Sequence, residues 1–185
     1  MKLAEEYKKS LSEKWSIRLR TRHPDGDNYD GVVTQIKRGF VALREERELD
    51  FDGIIILAKE FIKGSRDGKY ERAINAILRE NNAIRKIRSP RWLDGCETLS
   101  DITTQLMRRD IWPGVEIVYN IYTESAFYIG PITRTADDHF FLKHYDADGK
   151  WDKEYRIEYD LVFKIELDSN YINRFNMYMR KHGGA

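Results

Sequence analysis

The 185-residue sequence has one cysteine, four prolines and no long apolar run. The lone Cys96 excludes an internal disulfide framework and any zinc site built from cysteines alone, and it suits a reducing compartment. The opening MKLAEEYKKS is too polar for a secretory signal, and no later stretch approaches the length of a membrane span. A cytoplasmic protein without a membrane partner is expected. A surplus of either charge is missing too: 32 Lys and Arg face 31 Asp and Glu, which leaves no global pull toward nucleic acid. The balance hides a gradient. Residues 1 to 111 carry 23 basic and 19 acidic side chains, residues 112 to 185 carry 9 and 12, and 15 of the 23 aromatic residues fall after residue 111. An aromatic contact surface is therefore to be sought in the second part of the chain.

What the chain does have is an internal correspondence. YDGVVTQIKRGFVALRE is matched by YIGPITRTADDHFFLKH, with Gly31 twelve residues before Leu43 and Gly130 twelve before Leu142. Trp15 and Trp112 precede these glycines by sixteen and eighteen residues. Each copy ends on the same helical template: Tyr70, Ile74, Ile77 and Leu78 fall at i, i+4, i+7 and i+8, as do Tyr171, Phe175, Tyr178 and Met179. A helix also opens each copy, through Leu3, Tyr7, Leu11 and Trp15 in the first and TLSDITTQLMRRD in the second, where Thr98 and Asp101 are spaced as a capping box. Between the helices lie about five short β-rich pieces per copy. The expected architecture is mainly β with flanking helices (α+β): two tandem SH3/Sm-like small barrels, each followed by an amphipathic helix. The expected domains are 1–90 and 91–185, with the seam in RENNAIRKIRSPRWLDGCE. At Gly31 and Gly130 the missing Cβ lets the second strand kink.

The stretch GVVTQIKRGFVALRE, and more loosely GPITRTADDHFFLKH, resembles the first motif of Sm-like proteins, including the bacterial Hfq branch. That resemblance covers about fifteen residues per copy and implies a small barrel. The branch's RNA-binding step on the fourth-to-fifth strand turn has its nearest counterparts in AKEFI and YDLVF. There Lys59 matches the lysine, Glu60 replaces the histidine, and Asp160 and Leu161 follow Tyr159, so the resemblance does not bring the RNA site with it. The whole also resembles bacterial paired-barrel proteins of unknown function that end in a YINRF-like helix.

No residues fall into a catalytic pattern. Glu45, Glu46, Glu48, Asp50 and Asp52 look like a carboxylate cluster but align with HYDADGKWDKEYRI, so a hairpin between the third and fourth strands is expected. His23, His139, His144 and His182 are scattered, and the odd spacing of His139 and His144 points them to opposite faces of a strand. Asp137 or Asp138 beside His139 lacks a nucleophile, Asp146, Asp148 and Asp152 lack calcium-loop spacing, and Cys96 is an ordinary residue ahead of a helix unless the helix dipole lowers its pKa. No metal, no cofactor and no enzymatic activity are expected.

Two binding surfaces are. The strip containing Arg79, Arg85, Lys86, Arg88, Arg91 and Trp92 has the charge and the aromatic of an RNA-tracking surface, or else belongs to a linker whose Ile84 and Ile87 pack while its bases stay in water. Tyr119, Tyr122, Phe127, Tyr128, Phe140, Phe141, Tyr145, Trp151, Tyr155 and Tyr159 exceed what a small core needs. Of these Tyr145, Trp151 and Tyr155 are the candidate contacts for a protein partner, unless the excess packs between the two copies. A binding or adaptor protein with a protein partner is the expectation, and RNA is the alternative.

Overall fold

A computed structural model describes residues 2–23, 26, 28–120, 124–146 and 148–183. Tyr122, one of the aromatic residues singled out above, lies outside them. The chain opens with helix α1 (Lys2–Glu13) and strands β1 (Ser16–Thr21), β2 (Asn28–Ile36), β3 (Phe40–Arg47) and β4 (Asp50–Ala58). A single 3-10 turn, Lys59–Phe61, leads into β5 (Ile62–Arg66) and helix α2 (Lys69–Glu80). After two further 3-10 turns, Ala83–Lys86 and Arg91–Gly95, come α3 (Leu99–Arg108), β6 (Gly114–Asn120), β7 (Glu124–Ile129), β8 (Ile132–Thr135), β9 (His139–Tyr145) and β10 (Trp151–Glu158). A 3-10 turn, Tyr159–Leu161, then leads into β11 (Val162–Leu167) and α4 (Asn170–His182). The fold is mainly β with four helices. Among the described residues no helix is long and apolar enough to cross a membrane.

Hydrogen bonding arranges the strands in two sheets, one of eight in the order β5-β1-β2-β3-β4-β11-β6-β7 and one of three in the order β10-β9-β8. Both are open, which corrects the expectation of closed barrels. The reason lies in the edges. The second edge of β4 is taken by β11, with Ile165 opposite Ile56 and Leu167 opposite Ile54, rather than by the fifth strand of its own half. In the second half the strand that leaves β6 breaks at Gly130 and Pro131, where proline offers no N–H to the ladder, and resumes as β8 in the smaller sheet.

The glycines explain the bends. A Cβ on Gly31 would stand 2.3 Å from the Arg44 carbonyl oxygen, and one on Gly130 would stand 2.0 Å from that of Lys143. Gly31 thus lets β2 close onto β3, and Gly130, between β7 and β8, lets the chain close onto β9. Gly130 also has a φ of +151°, which a side chain resists. The β3–β4 hairpin turns through Glu48 and Leu49, at φ of +53° and +64°, so the acidic knot is a two-residue hairpin tip and its flanks. Its turn residues are unusual for that geometry.

One core, including Ile17, Leu43, Ile56, Phe140 and Phe163, runs through both halves across the β4–β11 junction. A smaller cluster of Val32, Phe51, Ile74, Leu78 and Ile87 seats α2, and another of Ile129, Tyr145, Ile172 and Met179 seats α4. Each of these helices also carries one asparagine that fixes the entry to its first strand. Asn75 accepts from the Ser16 N–H at 2.7 Å and donates to the Ser16 carbonyl at 2.8 Å, while Asn176 donates to the Trp112 carbonyl at 2.7 Å and accepts from the Tyr145 hydroxyl at 2.9 Å.

Candidate functional site

The basic strip does not converge. Arg79 donates to the Glu13 carbonyl at 3.0 Å and lies over the Trp15 ring, and Lys86 pairs with Asp50 at 2.6 Å. Arg85, Arg88 and Arg91 are exposed along the linker, while Ile87 is buried and Trp92 packs half-buried against the main core. The side chain that would have stacked a base is thus occupied in packing. Cys96 is buried too, and burial raises its thiol pKa, opposite to what a helix dipole would do. Asp138 pairs with His139 at 2.5 Å on the surface, and the His139 ring draws that carboxyl below its ordinary range. Among the described residues no three His, Cys, Asp or Glu side chains are grouped so as to hold a metal ion.

The aromatic residues of the second half divide into three groups. Tyr145 is 2% exposed, with its hydroxyl on Asn176, so it is a core residue and not a contact surface. Trp151 lies edge-on to Trp112 at 5.7 Å and to Tyr145 at 5.8 Å and donates its indole N–H to the Gly183 carbonyl, which ties β10 to the end of α4. Tyr155 is half-buried against Tyr128, with ring centroids 4.5 Å apart, and its hydroxyl donates to Asp152 at 2.6 Å. Phe140 and Tyr159 join the main core. Much of the excess therefore seats α4. The third group, Tyr119, Tyr171 and Tyr178, remains outside at about half exposure, and the apolar Met177 beside them is 66% exposed. Three of these four lie on α4. Tyr171 meets Phe175 at a tilt with ring centroids 4.7 Å apart, and Tyr178 meets His182 likewise at 4.8 Å, forming a ridge at i, i+4, i+7 and i+11.

Beside the ridge, topology assembles a charged group that the sequence scatters. Lys164 on β11 stands opposite Glu116 on β6, 2.9 Å away, and 3.7 Å from Glu166 two residues along its own strand. All three side chains are only 12% exposed, so each needs the others. His23, from the loop after β1, reaches the other Glu116 oxygen at 2.7 Å. The Lys164 ammonium also lies 5.3 Å from the Tyr29 ring centre and 5.5 Å from that of Phe127. Glu45 on β3 is in the same field. Its side chain is 12% exposed, its Oε2 is buried without a hydrogen-bond partner, and burial pushes its pKa up to about 7.

A cleft of about 360 Å³ opens here, lined by Arg47, Glu116, Phe127, Lys164, Glu166 and Tyr171. Phe127 and Tyr171 are also walls of a hollow of about 190 Å³ that reaches Phe175 and His144. The charged group and the ridge thus share one edge of the molecule, joined by Tyr171. A wider cleft of about 560 Å³ lies elsewhere, between the 3-10 turns that hold Lys59 and Tyr159 and the start of α3. Its Glu60 carboxyl is raised by burial and by Asp160, and its lining mixes the acids Glu60, Asp137 and Asp160 with the bases Arg38 and Lys59.

Lys164 and Glu166 left a trace in the sequence, since VFKIEL sets two opposite charges on one face of an otherwise apolar strand. Glu116 and His23 left none. No protein-family model, curated protein or solved structure matches the chain.

Proposed function

We propose that the protein is a non-enzymatic binding protein, made of two copies of one SH3/Sm-like five-strand unit whose sheets stay open, and that it contacts a protein partner through the outer face of α4. The observation that carries this reading is the exposure of Tyr171, Met177 and Tyr178 on a helix whose inner face is already satisfied by the buried Ile172 and Met179. Large apolar side chains held in water on a rigid helix are the usual anchors of a contact surface. The matching element order of the two halves, helix, strands, one 3-10 turn, strand, helix, supports the repeat.

In affinity purification, the double variant Met177→Ser, Tyr178→Ser should lose a stoichiometric partner that wild type and Tyr70→Ser both retain. Equal recovery by all three contradicts the reading. The RNA alternative rests on Arg85, Arg88 and Arg91, which are exposed and form no ion pair among the described residues. It requires binding to single-stranded RNA that falls steeply with salt and with neutralisation of these arginines, and no binding at low salt removes it.

A further inference from the structure

α4 contains Arg174, Arg180, Lys181 and His182 and no acidic residue, whereas α2 mixes Lys69, Arg72 and Arg79 with Glu71 and Glu80. Cations in a last turn offset the helix dipole, which accounts for Arg180, Lys181 and His182 but not for Arg174, about two turns earlier. At about 100° per residue, Arg174 and Lys181 project along one line of the helix, opposite the buried Ile172 and Met179. Both are exposed and form no ion pair among the described residues. Arg180, by contrast, is committed: it pairs with Asp110 at 2.7 Å and lies over the Trp112 ring at 4.0 Å. Met177 flanks the line of Arg174 and Lys181 on one side, and Tyr171 and Tyr178 flank it on the other. Beyond Met177 a cleft of about 520 Å³ opens toward Ile111 and Trp112. Its acids are Asp168 and Asp110, the second already bonded to Arg180 and to the Trp112 indole N–H.

We propose that the outer face of α4 receives an acidic segment of a partner protein, whose carboxylates meet Arg174 and Lys181 and whose apolar side chains pack on Met177 and Tyr178. This inference rests on the function proposed above and names the chemistry of the partner. Charge complementarity selects the occupant: two uncommitted cations between apolar flanks repel a basic segment and gain no counterion from a neutral one. A lipid surface fits less well, because the charge occupies the centre of the face and holds Met177 apart from the tyrosines, so that they cannot enter a bilayer together. Nucleic acid would use the same cations. Met177, however, is the most exposed of the three apolar side chains and adds nothing to a phosphate contact, and Tyr171 and Tyr178 already pack against Phe175 and His182 rather than standing free to stack bases.

A photoactivatable crosslinking amino acid at position 177 of the full chain captures the segment that lies on the helix. The crosslinked fragment should come from a protein and hold more Asp and Glu than Lys and Arg. Synthesised as a peptide, it should bind purified wild type at low salt at least about tenfold more tightly than the double variant Arg174→Gln, Lys181→Gln, and the gap should shrink as salt is raised. The control Arg85→Gln, Arg88→Gln, which removes two exposed cations far from α4 in sequence, should bind as wild type does. A neutral or basic fragment, an affinity unchanged in the α4 variant, or an equal loss in the control overturns the acidic segment. Each of these leaves the proposed function standing, since loss of the partner with Met177→Ser, Tyr178→Ser is a separate result. A crosslink to nucleic acid or lipid in place of protein, or no crosslink at all, overturns both.

Discussion

α2 and α4 close their halves in the same way and both expose the tyrosine of their first turn, yet α4 displays two further large apolar side chains, Met177 and Tyr178, where α2 displays none. Both present a tyrosine, a core residue four positions on and an asparagine immediately after it, and both bury the position eight after the tyrosine, as Leu78 and Met179. Off this shared frame they diverge. α2 keeps Glu71, which is 2% exposed, bonded to Arg66 at 2.9 Å and to the Gly68 N–H at 2.7 Å, and its third template position, Ile77, is half-buried. α4 has no acidic residue, and the same position is the half-exposed Tyr178. The frame is set by what the helix must bury, so the positions outside it are free to become a surface.

The largest effect is expected at the strand-bending glycines. Gly130→Ala drives a Cβ into the Lys143 carbonyl at an unfavourable φ and should cost about 4 kcal/mol in urea unfolding, with Gly31→Ala somewhat less. A tolerated Gly31→Ala would mean that the two halves are bent by different means. Next comes the asparagine pair. Asn75 is 1% exposed and serves both polar groups of Ser16, so Asn75→Ala should cost about 3 kcal/mol, against about 1.5 kcal/mol for the half-buried Asn176→Ala. Equal losses would place the two on the same footing. Tyr145→Phe removes only the hydroxyl bonded to Asn176 and should cost about 1 kcal/mol. At the bottom of the scale Lys86→Gln breaks an exposed ion pair with Asp50 and should change stability by less than about 0.5 kcal/mol.

The order and type of elements were legible because they follow from local pattern. The step of four in Tyr70, Ile74 and Leu78, the Thr98 and Asp101 cap and the β-rich runs between glycines each depend on neighbours within one turn or one strand. The side-chain bond Thr98 accepts from the Asp101 N–H, at 3.2 Å, is the kind of contact a short window can show. How the strands close is not local. Nothing in DFDGIIILA or VFKIEL says that β4 pairs with β11 of the other half, and that pairing is what leaves the sheets open and brings Glu45, Glu116, Lys164 and Glu166 to one place. The hairpin of the acidic knot was legible from its counterpart, but the partial burial of Glu45 and Glu46, which raises both carboxyls, depends on what packs over the strands and not on the local sequence. Tyr145 failed as a contact for the same reason, since an aromatic count does not tell which rings a helix will cover.

Placing a photoactivatable crosslinking amino acid at position 178, with position 70 as the matched site on α2, tests the contact surface most directly. The account predicts a discrete crosslinked partner from position 178 and none from position 70. Crosslinking from 70 equal to that from 178, or none from 178 in cells that yield the partner by affinity purification, would contradict it.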